Sequence, residues 1–214
     1  EIAQCLVGSE MCIRDRNSIV VASGANMLLN EQDVDKVVEE MCEGDILLMQ
    51  LEIPIQTVEY AARRAFEKGV KVVLNPAPAR SLPKELLRYL FMITPNRIEA
   101  EMLTGIKIVN DADAERVAKE ISAMGVQNII VTLGSKGCLV REGDTSYCVD
   151  AFKVEPVDTT AAGDTFNGAL CVGLAEGMNL RQAAVMASKA SSVAVTRMGA
   201  QSSIPHRKEL DLNE

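Results

Sequence analysis

The feature that most constrains the fold is an alternation of short apolar segments with amphipathic segments of helical period. The apolar segments "DILLMQLE" (45–52), "VKVVLN" (70–75) and "NIIVTL" (128–133) are typical of strands buried on both faces. Between the first two, "PIQTVEYAARRAFEKG" begins at Pro54 and ends at Gly69, an asymmetry that is typical of helices. Strands that alternate with helices predict an α/β fold, with a mostly parallel sheet flanked by helices on both faces.

The remaining elements continue this pattern. "SIVVAS" (18–23) and "LFMIT" (90–94) predict strands, and "GCLVREGDTSYCVD" (137–150) predicts a hairpin that turns at residues 142–144. Asn30 is expected to cap a helix over residues 31–43, which would present Val34, Val37 and Val38 on one face, and Asp111 to cap another helix. Two long helices are predicted over residues 163–176 and 180–195.

Composition excludes several classes of function. The 214 residues suffice for one α/β domain, and a net charge of −8 argues against a nucleic-acid partner. No apolar run is long enough to cross a bilayer. The six cysteines form no CxxC pair, which favours free thiols in a reducing cytoplasm. The single histidine, His206, is expected at the surface.

The first sixteen residues, "EIAQCLVGSEMCIRDR", show neither a helical nor a strand period. They resemble a translated sequencing adapter, so we expect residues 1–16 to be a non-native lead. One domain is then expected over residues 17–214, with native N-terminal residues missing.

The loop "DTTAAGD" is the strongest candidate for chemistry. In parallel sheets, ligands bind beyond the carboxyl ends of strands, and the first turn of a helix favours an anion. Ala161, Ala162 and Gly163 have small side chains, so a phosphate can approach their backbone, and Asp164 could accept a proton from a substrate hydroxyl. Alternatively, Asp158 and Asp164 merely cap helices.

Four further loops each allow a functional and a plain structural interpretation. "TLGSKG" (132–137) either wraps a nucleotide or is a tight turn, and "TPNRIEAE" (94–101) either orients Mg²⁺ through Asn96 and Glu99 or simply begins a helix. Glu52 either binds sugar hydroxyls or is a solvated strand end. "TRMGAQSS" (196–203) either coordinates a cation or ends a helix.

Seven motifs in order indicate a family. They are "SGAN", "LLMQLE", "LNPAPAR", "ITPNRIEAEMLTG", "VTLGSKG", "DTTAAGDTFNGAL" and "VAVTRMGAQSSIP", and together the stretch from Asn17 to about Leu210 resembles the ribokinase-like sugar kinase family. The resemblance implies a ribokinase-like fold and ATP-dependent phosphorylation of D-ribose at its primary hydroxyl, giving ribose 5-phosphate. It also implies Mg²⁺ and a monovalent cation, usually K⁺, as cofactors.

The resemblance also implies a role for each matching residue. Asp164 corresponds to the base, and the backbone of Ala161, Ala162, Gly163 and Asp164 to an anion hole. Glu52 and Asp164 correspond to sugar contacts. The implied ATP contacts are Asn96, Thr132, Gly134, Ser135, Lys136, Gly137, Gly163, Asp164 and Ser188. The implied cation ligands are Asp158, Thr160, Ala194, Arg197, Gly199 and Ser203 for the monovalent ion, with Asn96 and Glu99 for Mg²⁺, through water.

Two departures from the family pattern qualify these expectations. Ser188 stands where some members carry His or Asn near the adenine. The family's N-terminal part, which supplies a glycine-rich sugar-binding motif and a β lid that also forms dimers, has no counterpart here. We therefore expect an N-terminally truncated kinase, poorly active alone, whose full-length form is a homodimer. The alternatives are a kinase of another sugar or a nucleoside, or a nucleotide-binding remnant without catalysis.

Overall fold

A computed structural model describes residues 23–210, and the predicted strand at 18–23, apart from Ser23, lies outside that range, as does the adapter-like lead. The helices are α1 (Glu31–Glu40), α2 (Ile55–Glu67), α3 (Lys84–Leu87), α4 (Arg97–Thr104), α5 (Asp111–Ala123), α6 (Ala162–Ala175) and α7 (Leu180–Ala194). The strands are β1 (Ile46–Met49), β2 (Lys71–Leu74), β3 (Met92–Ile93), β4 (Asn128–Thr132), β5 (Cys138–Glu142) and β6 (Thr145–Val149).

The six described strands form one sheet in the order in which they occur along the chain. β1 to β4 are parallel, and β5 and β6 are added antiparallel as a hairpin. The predicted hairpin is confirmed, with Glu142 paired to Thr145 across the turn. The parallel strands place the loops after β1, β2, β3 and β4 at one edge of the sheet, which is where the sequence predicts a site.

Helices cover the sheet on both faces, as predicted. Val72 and Leu74 of β2 belong to a core with α2, α4 and α5, whereas Val73 between them packs on the side of α6 and α7. Ile130 of β4 likewise faces α6 and α7, while Ile129 faces the other helices. This alternation follows from the two-residue period of a strand that is buried on both faces.

Two sequence-based details were wrong. α1 ends at Glu40, three residues early, where Met41 takes an extended conformation, and the ammonium of Lys68 donates to the carbonyl oxygens of Val38 and Glu39, each at 2.8 Å. α5 is capped by Asn110 and not by Asp111, since the Asn110 side chain accepts from the third amide of the helix.

Two predictions about exposed and buried residues had different outcomes. His206 is exposed, as expected. Val37, which was expected to share the buried face of α1, is 57% exposed. Within residues 23–210, no helix is both long enough and apolar enough to cross a membrane.

Candidate active site

The N-terminus of α6 has an unusual cap. The capping residue is Ala161, whose φ of 57° and ψ of 13° place it in the left-handed region, and its side chain makes no capping hydrogen bond. It is the one residue other than glycine with a positive φ in the described part of the chain. Such strained backbone costs of order 1–3 kcal/mol and clusters at functional sites. Neither Asp158 nor Asp164 caps α6, so the plain structural alternative fails for this helix.

This turn presents backbone amides to solvent. Ala162 donates its N–H to Thr159 at 3.3 Å, whereas Gly163 and Asp164 follow in the first helical turn, where an α-helix offers their N–H groups no carbonyl acceptor. Gly163 is exposed, and a Cβ built on it would have no neighbour within 4 Å. The turn can therefore accept an anion close to the backbone, helped by the helix dipole.

Asp164 lies beside the loop that follows β1. Its Oδ1 accepts a hydrogen bond of 2.5 Å from the Nε2 of Gln50, 114 residues earlier in the chain. Asp164 is exposed and lies in the first turn of α6, next to the backbone N–H of Gly163. A carboxylate beside an anion-binding turn is the arrangement that a base needs when a hydroxyl attacks a phosphoryl group.

Buried polar side chains fix the first turn of α6 to the sheet. Asn167, 4% exposed, donates to the carbonyl of Gly163 at 2.9 Å and accepts from the hydroxyl of Thr94 at 2.6 Å. Thr94 directly follows β3. On the other side, the hydroxyl of Ser191 on α7 donates to the carbonyl of Ala162 at 3.0 Å. The anion-binding turn therefore has a rigid support.

A cavity of about 470 Å³ opens beside this turn. Four residues that were predicted to contact ATP line it together, namely Thr132, Gly134, Gly163 and Ser188. Phe152 also lines it, and the ammonium of Lys189 lies 4.8 Å from the centre of that ring. Further predicted ATP residues that line the cavity are Ser135 and Gly137. Its volume lies in the range that small-molecule sites occupy.

The "TLGSKG" loop is shaped by its glycines. Residues 134–136 form one turn of 3₁₀ helix, and Lys136 is exposed. Gly137 has a φ of 89°, and a Cβ there would lie 2.0 Å from the carbonyl oxygen of Val149. Only glycine allows β5 to begin this close to the end of β6.

Asn96 and Glu99 bind each other. The Asn96 side chain caps α4. The backbone N–H of Asn96 donates to the Glu99 carboxylate at 2.8 Å, and its side-chain Nδ2 donates to the same carboxylate at 2.7 Å. The pKa of Glu99 is raised, because the effect of burial exceeds that of the hydrogen bonds from Asn96, which act in the opposite direction. Because Glu99 is only 5% exposed, it does not fit a direct ligand of a largely hydrated Mg²⁺ ion.

Asn96 nevertheless lies at the site edge. It pairs with Thr132 as an isolated parallel bridge, which joins the loops after β3 and β4. Its role toward Mg²⁺ through water stays a prediction. Among the described residues, no group of three or more His, Cys, Asp or Glu side chains is arranged to hold a metal ion.

The residues assigned to a monovalent cation are linked to one another. Asp158 accepts from the N–H of Thr160 and from the N–H of Gly199, both at 2.9 Å. The side-chain hydrogen bond with Thr160, followed by the two backbone hydrogen bonds, lowers the pKa of Asp158. The carbonyl of Val195 accepts from the Asp158 N–H at 3.1 Å. The loop before α6 is therefore tied to the end of α7.

The other members of that set differ in their contacts. Ser203 is fully buried and donates its hydroxyl to the carbonyl of Ala200 at 2.7 Å. Arg197 directs its guanidinium to Glu209 at 2.6 Å, and its N–H donates to the carbonyl of Ala194 at 3.0 Å. Carboxylate and carbonyl oxygens of this kind are donors that suit K⁺, so the cluster fits such an ion in its chemistry.

Glu52 does not line the 470 Å³ cavity. It is exposed after β1 and lines a second cavity of about 320 Å³, together with Asn26, Asp33 and Gln50. Because Gln50 lines this cavity and also bonds Asp164, the second cavity adjoins the anion-binding turn.

Sequence reasoning missed the residues that support the site, namely Gln50, Thr94, Phe152, Asn167 and Ser191. Gln50 and Thr94 each follow a strand, which is a signal that was available. The partners of Asn167 and Ser191 are set by tertiary packing and carry no local signal.

Known proteins resemble this chain over most of its length. Residues 3–207 match the family described as "pfkB family carbohydrate kinase". The ribokinase of Haemophilus influenzae is 46% identical over 193 residues, which is 90% of this chain and 63% of that protein. Among solved structures, the ribokinase of Thermotoga maritima has a TM-score of 0.81 at 39% identity, covering 92% of this chain and 64% of that one.

The ribokinase of Arabidopsis thaliana, solved with ribose and ATP, has a TM-score of 0.82 at 30% identity and covers 91% of this chain and 64% of that one. The chain thus spans slightly less than two thirds of the length of these relatives. The fold and the sequence match over nearly the whole chain agree, and the chain therefore belongs to the pfkB family of carbohydrate kinases.

Proposed function

We propose that this chain supplies the nucleotide site and the base with which a kinase transfers the γ-phosphoryl group of ATP to the primary hydroxyl of D-ribose, giving ribose 5-phosphate and ADP. The observation that carries the proposal is the position of Asp164 in the first turn of α6, between Gly163, which lines the 470 Å³ cavity, and its hydrogen-bond partner Gln50, which lines the 320 Å³ cavity. The relatives that are named ribokinases support ribose as the acceptor.

Asp164 would accept the proton of the attacking hydroxyl. The Gly163 and Asp164 amides would stabilise the negative charge on the transferred group, and they require no rearrangement because Asn167 and Ser191 hold the turn. The chemistry needs little else from the protein, since phosphoryl transfer depends mainly on positioning and electrostatics.

ATP would occupy the 470 Å³ cavity, with its base toward Phe152 and Ser188 and its phosphates toward α6. A Mg²⁺ ion would accompany the phosphates and meet Asn96 through water. K⁺ would be held by Asp158 and neighbouring carbonyl oxygens, and it would supply positive charge that stabilises the loop leading to Ala161.

The test is the Asp164→Asn variant, with Asp111→Asn as the matched control. Asp111 is an exposed aspartate at the start of α5, a helix that packs on the face of the sheet opposite α6. Loss of a general base lowers kcat by about 10²- to 10⁴-fold, whereas the control should retain the activity of the unmodified chain. Turnover of ribose and ATP by Asp164→Asn at the unmodified rate would refute the assignment.

The acceptor is tested with a panel of ribose, deoxyribose, fructose and a nucleoside. The highest kcat/KM on ribose is expected. A higher value on another member would replace ribose while leaving the base assignment intact. Binding of ATP without turnover of any acceptor would favour the alternative, a nucleotide-binding protein without catalysis.

A further inference from the structure

Gln50 is the first residue after β1, and its side chain meets Asp164 across the site. The separation of Nε2 and Oδ1 is 2.5 Å. A carboxylate can only accept hydrogen bonds, so the amide must direct its NH₂ group, and not its oxygen, at Asp164. The resemblance that assigned roles to Glu52 and Asp164 assigned none to Gln50.

Gln50 is rigidly supported. On one side the carbonyl of Met49 accepts from the N–H of Asn75 at 2.9 Å, and on the other the N–H of Leu51 donates to the carbonyl of Ala77 at 2.8 Å. Both neighbours of Gln50 are therefore held to the segment that follows β2. A side chain on a fixed backbone restricts its partner more effectively than one on a mobile loop.

Asp164 makes no ion pair with any lysine or arginine in the described range. The loop after β1 carries one acid, Glu52, which is exposed and lines the cavity that Gln50 also lines. The side-chain hydrogen bond that orients Asp164 is thus the one from Gln50.

We propose that Gln50 is a positioning residue for the base. Its amide occupies Oδ1 of Asp164, which leaves Oδ2 directed at the hydroxyl whose proton is removed. This inference rests on the proposed function of Asp164. A neutral amide suits the task, because it donates a hydrogen bond without the positive charge with which a lysine or arginine would weaken the carboxylate as a base.

Two substitutions test the proposal, with Gln127→Glu as the control. Gln127 is an exposed glutamine just before β4, at the edge of the sheet opposite the site. Gln50→Leu removes the donor and should lower kcat by roughly 10-fold, because a hydrogen bond to a charged group is lost, with little change in the KM for ATP. Gln50→Glu keeps the shape and places a second carboxylate against Asp164.

The repulsion in Gln50→Glu should raise the pKa of Asp164 by at least about one pH unit, and Gln127→Glu should leave it unchanged. Carboxyl ¹³C NMR titration measures this directly in residues 1–214, with the Asp164 signal identified by its loss in Asp164→Asn. The acid limb of the kcat profile should move upward in step. Unfolding curves establish that each variant is folded.

The outcomes separate this inference from the proposed function. An Asp164 titration that is the same in Gln50→Glu and Gln127→Glu would overturn the contact. A shifted titration with unchanged kcat in Gln50→Leu would overturn the positioning role. If Asp164→Asn retains full turnover, the proposed function fails, and the positioning role that rests on it fails with it, while the NMR titration still decides whether Gln50 contacts Asp164.

Discussion

Replacement of Gly137 by alanine should destabilise the fold severely. A Cβ at this position would lie 2.0 Å from the carbonyl oxygen of Val149, 2.7 Å from the nitrogen of Ala151 and 2.8 Å from the carbonyl carbon of Asp150. All three atoms are backbone, so no side chain can turn aside. The segment after β6 must move, or the loop before β5 must open.

The magnitude follows from three contributions. A φ of 89° costs a residue other than glycine of order 1–3 kcal/mol. Movement of the loop also strains the hydrogen bond from Leu133 N–H to the Gly137 carbonyl, 2.8 Å, and that from Gly137 N–H to the Gly134 carbonyl, 2.9 Å. Each is worth about 1 kcal/mol. We expect a loss of roughly 3–5 kcal/mol in the free energy of unfolding.

Urea denaturation of Gly137→Ala and of Gly143→Ala makes the comparison. Gly143 has a φ of 57° in the hairpin turn, and a Cβ there would have no neighbour within 4 Å. Its substitution should cost only about 1 kcal/mol, for the backbone conformation alone. Equal losses in the two variants would refute the steric argument. Because Gly137 lines the nucleotide cavity, any folded Gly137→Ala protein should also bind ATP more weakly.

Three other predictions follow from the site and its surroundings. The pKa of Asp158 is lowered below its ordinary value of 3.8, chiefly by the hydrogen bond with the Thr160 side chain. The ionised carboxylate therefore stabilises the fold above pH 3.8, and this contribution is lost as the pH falls through the lowered pKa. Asp158→Asn should destabilise the chain at pH 7 and should match the unmodified chain in unfolding curves measured in acid. Burial raises the pKa of the Cys138 thiol to about 12, so alkylation followed by mass spectrometry should label it only after denaturation, and labelling of the native chain would contradict this. Lys189→Ala removes the cation over Phe152 and should weaken ATP binding about two- to fivefold in calorimetry, an effect that an unchanged affinity would exclude.

Local sequence signals, which involve residues a few positions apart, predicted the strands and helices well. The strands and helices were identified from apolar period and from Pro and Gly at helix ends, as with Pro54 and Gly69, because these signals act within a few residues. The end of α1 was misplaced, and the Lys68 ammonium that binds two of its last carbonyl oxygens comes from the end of α2, a contact without a local signal.

The candidate site was predicted in part. The turn at residues 161–164 was selected as the candidate site from its small residues, but the left-handed cap at Ala161 could not be foreseen, since local propensity disfavours it. Gln50 was missed because its contact with Asp164 spans 114 positions, and only the packing of α6 beside β1 brings the two together.

The link between Asp158 and Gly199 joins positions that are 41 residues apart, with both α6 and α7 between them. Such a contact depends on the completed helical pair, and closing a loop of this length carries an entropic cost that local contacts do not. The turn at Ala161 therefore depends on chain that is synthesised after it. During translation, all six described strands are synthesised before the segment that holds the entry loop of this turn.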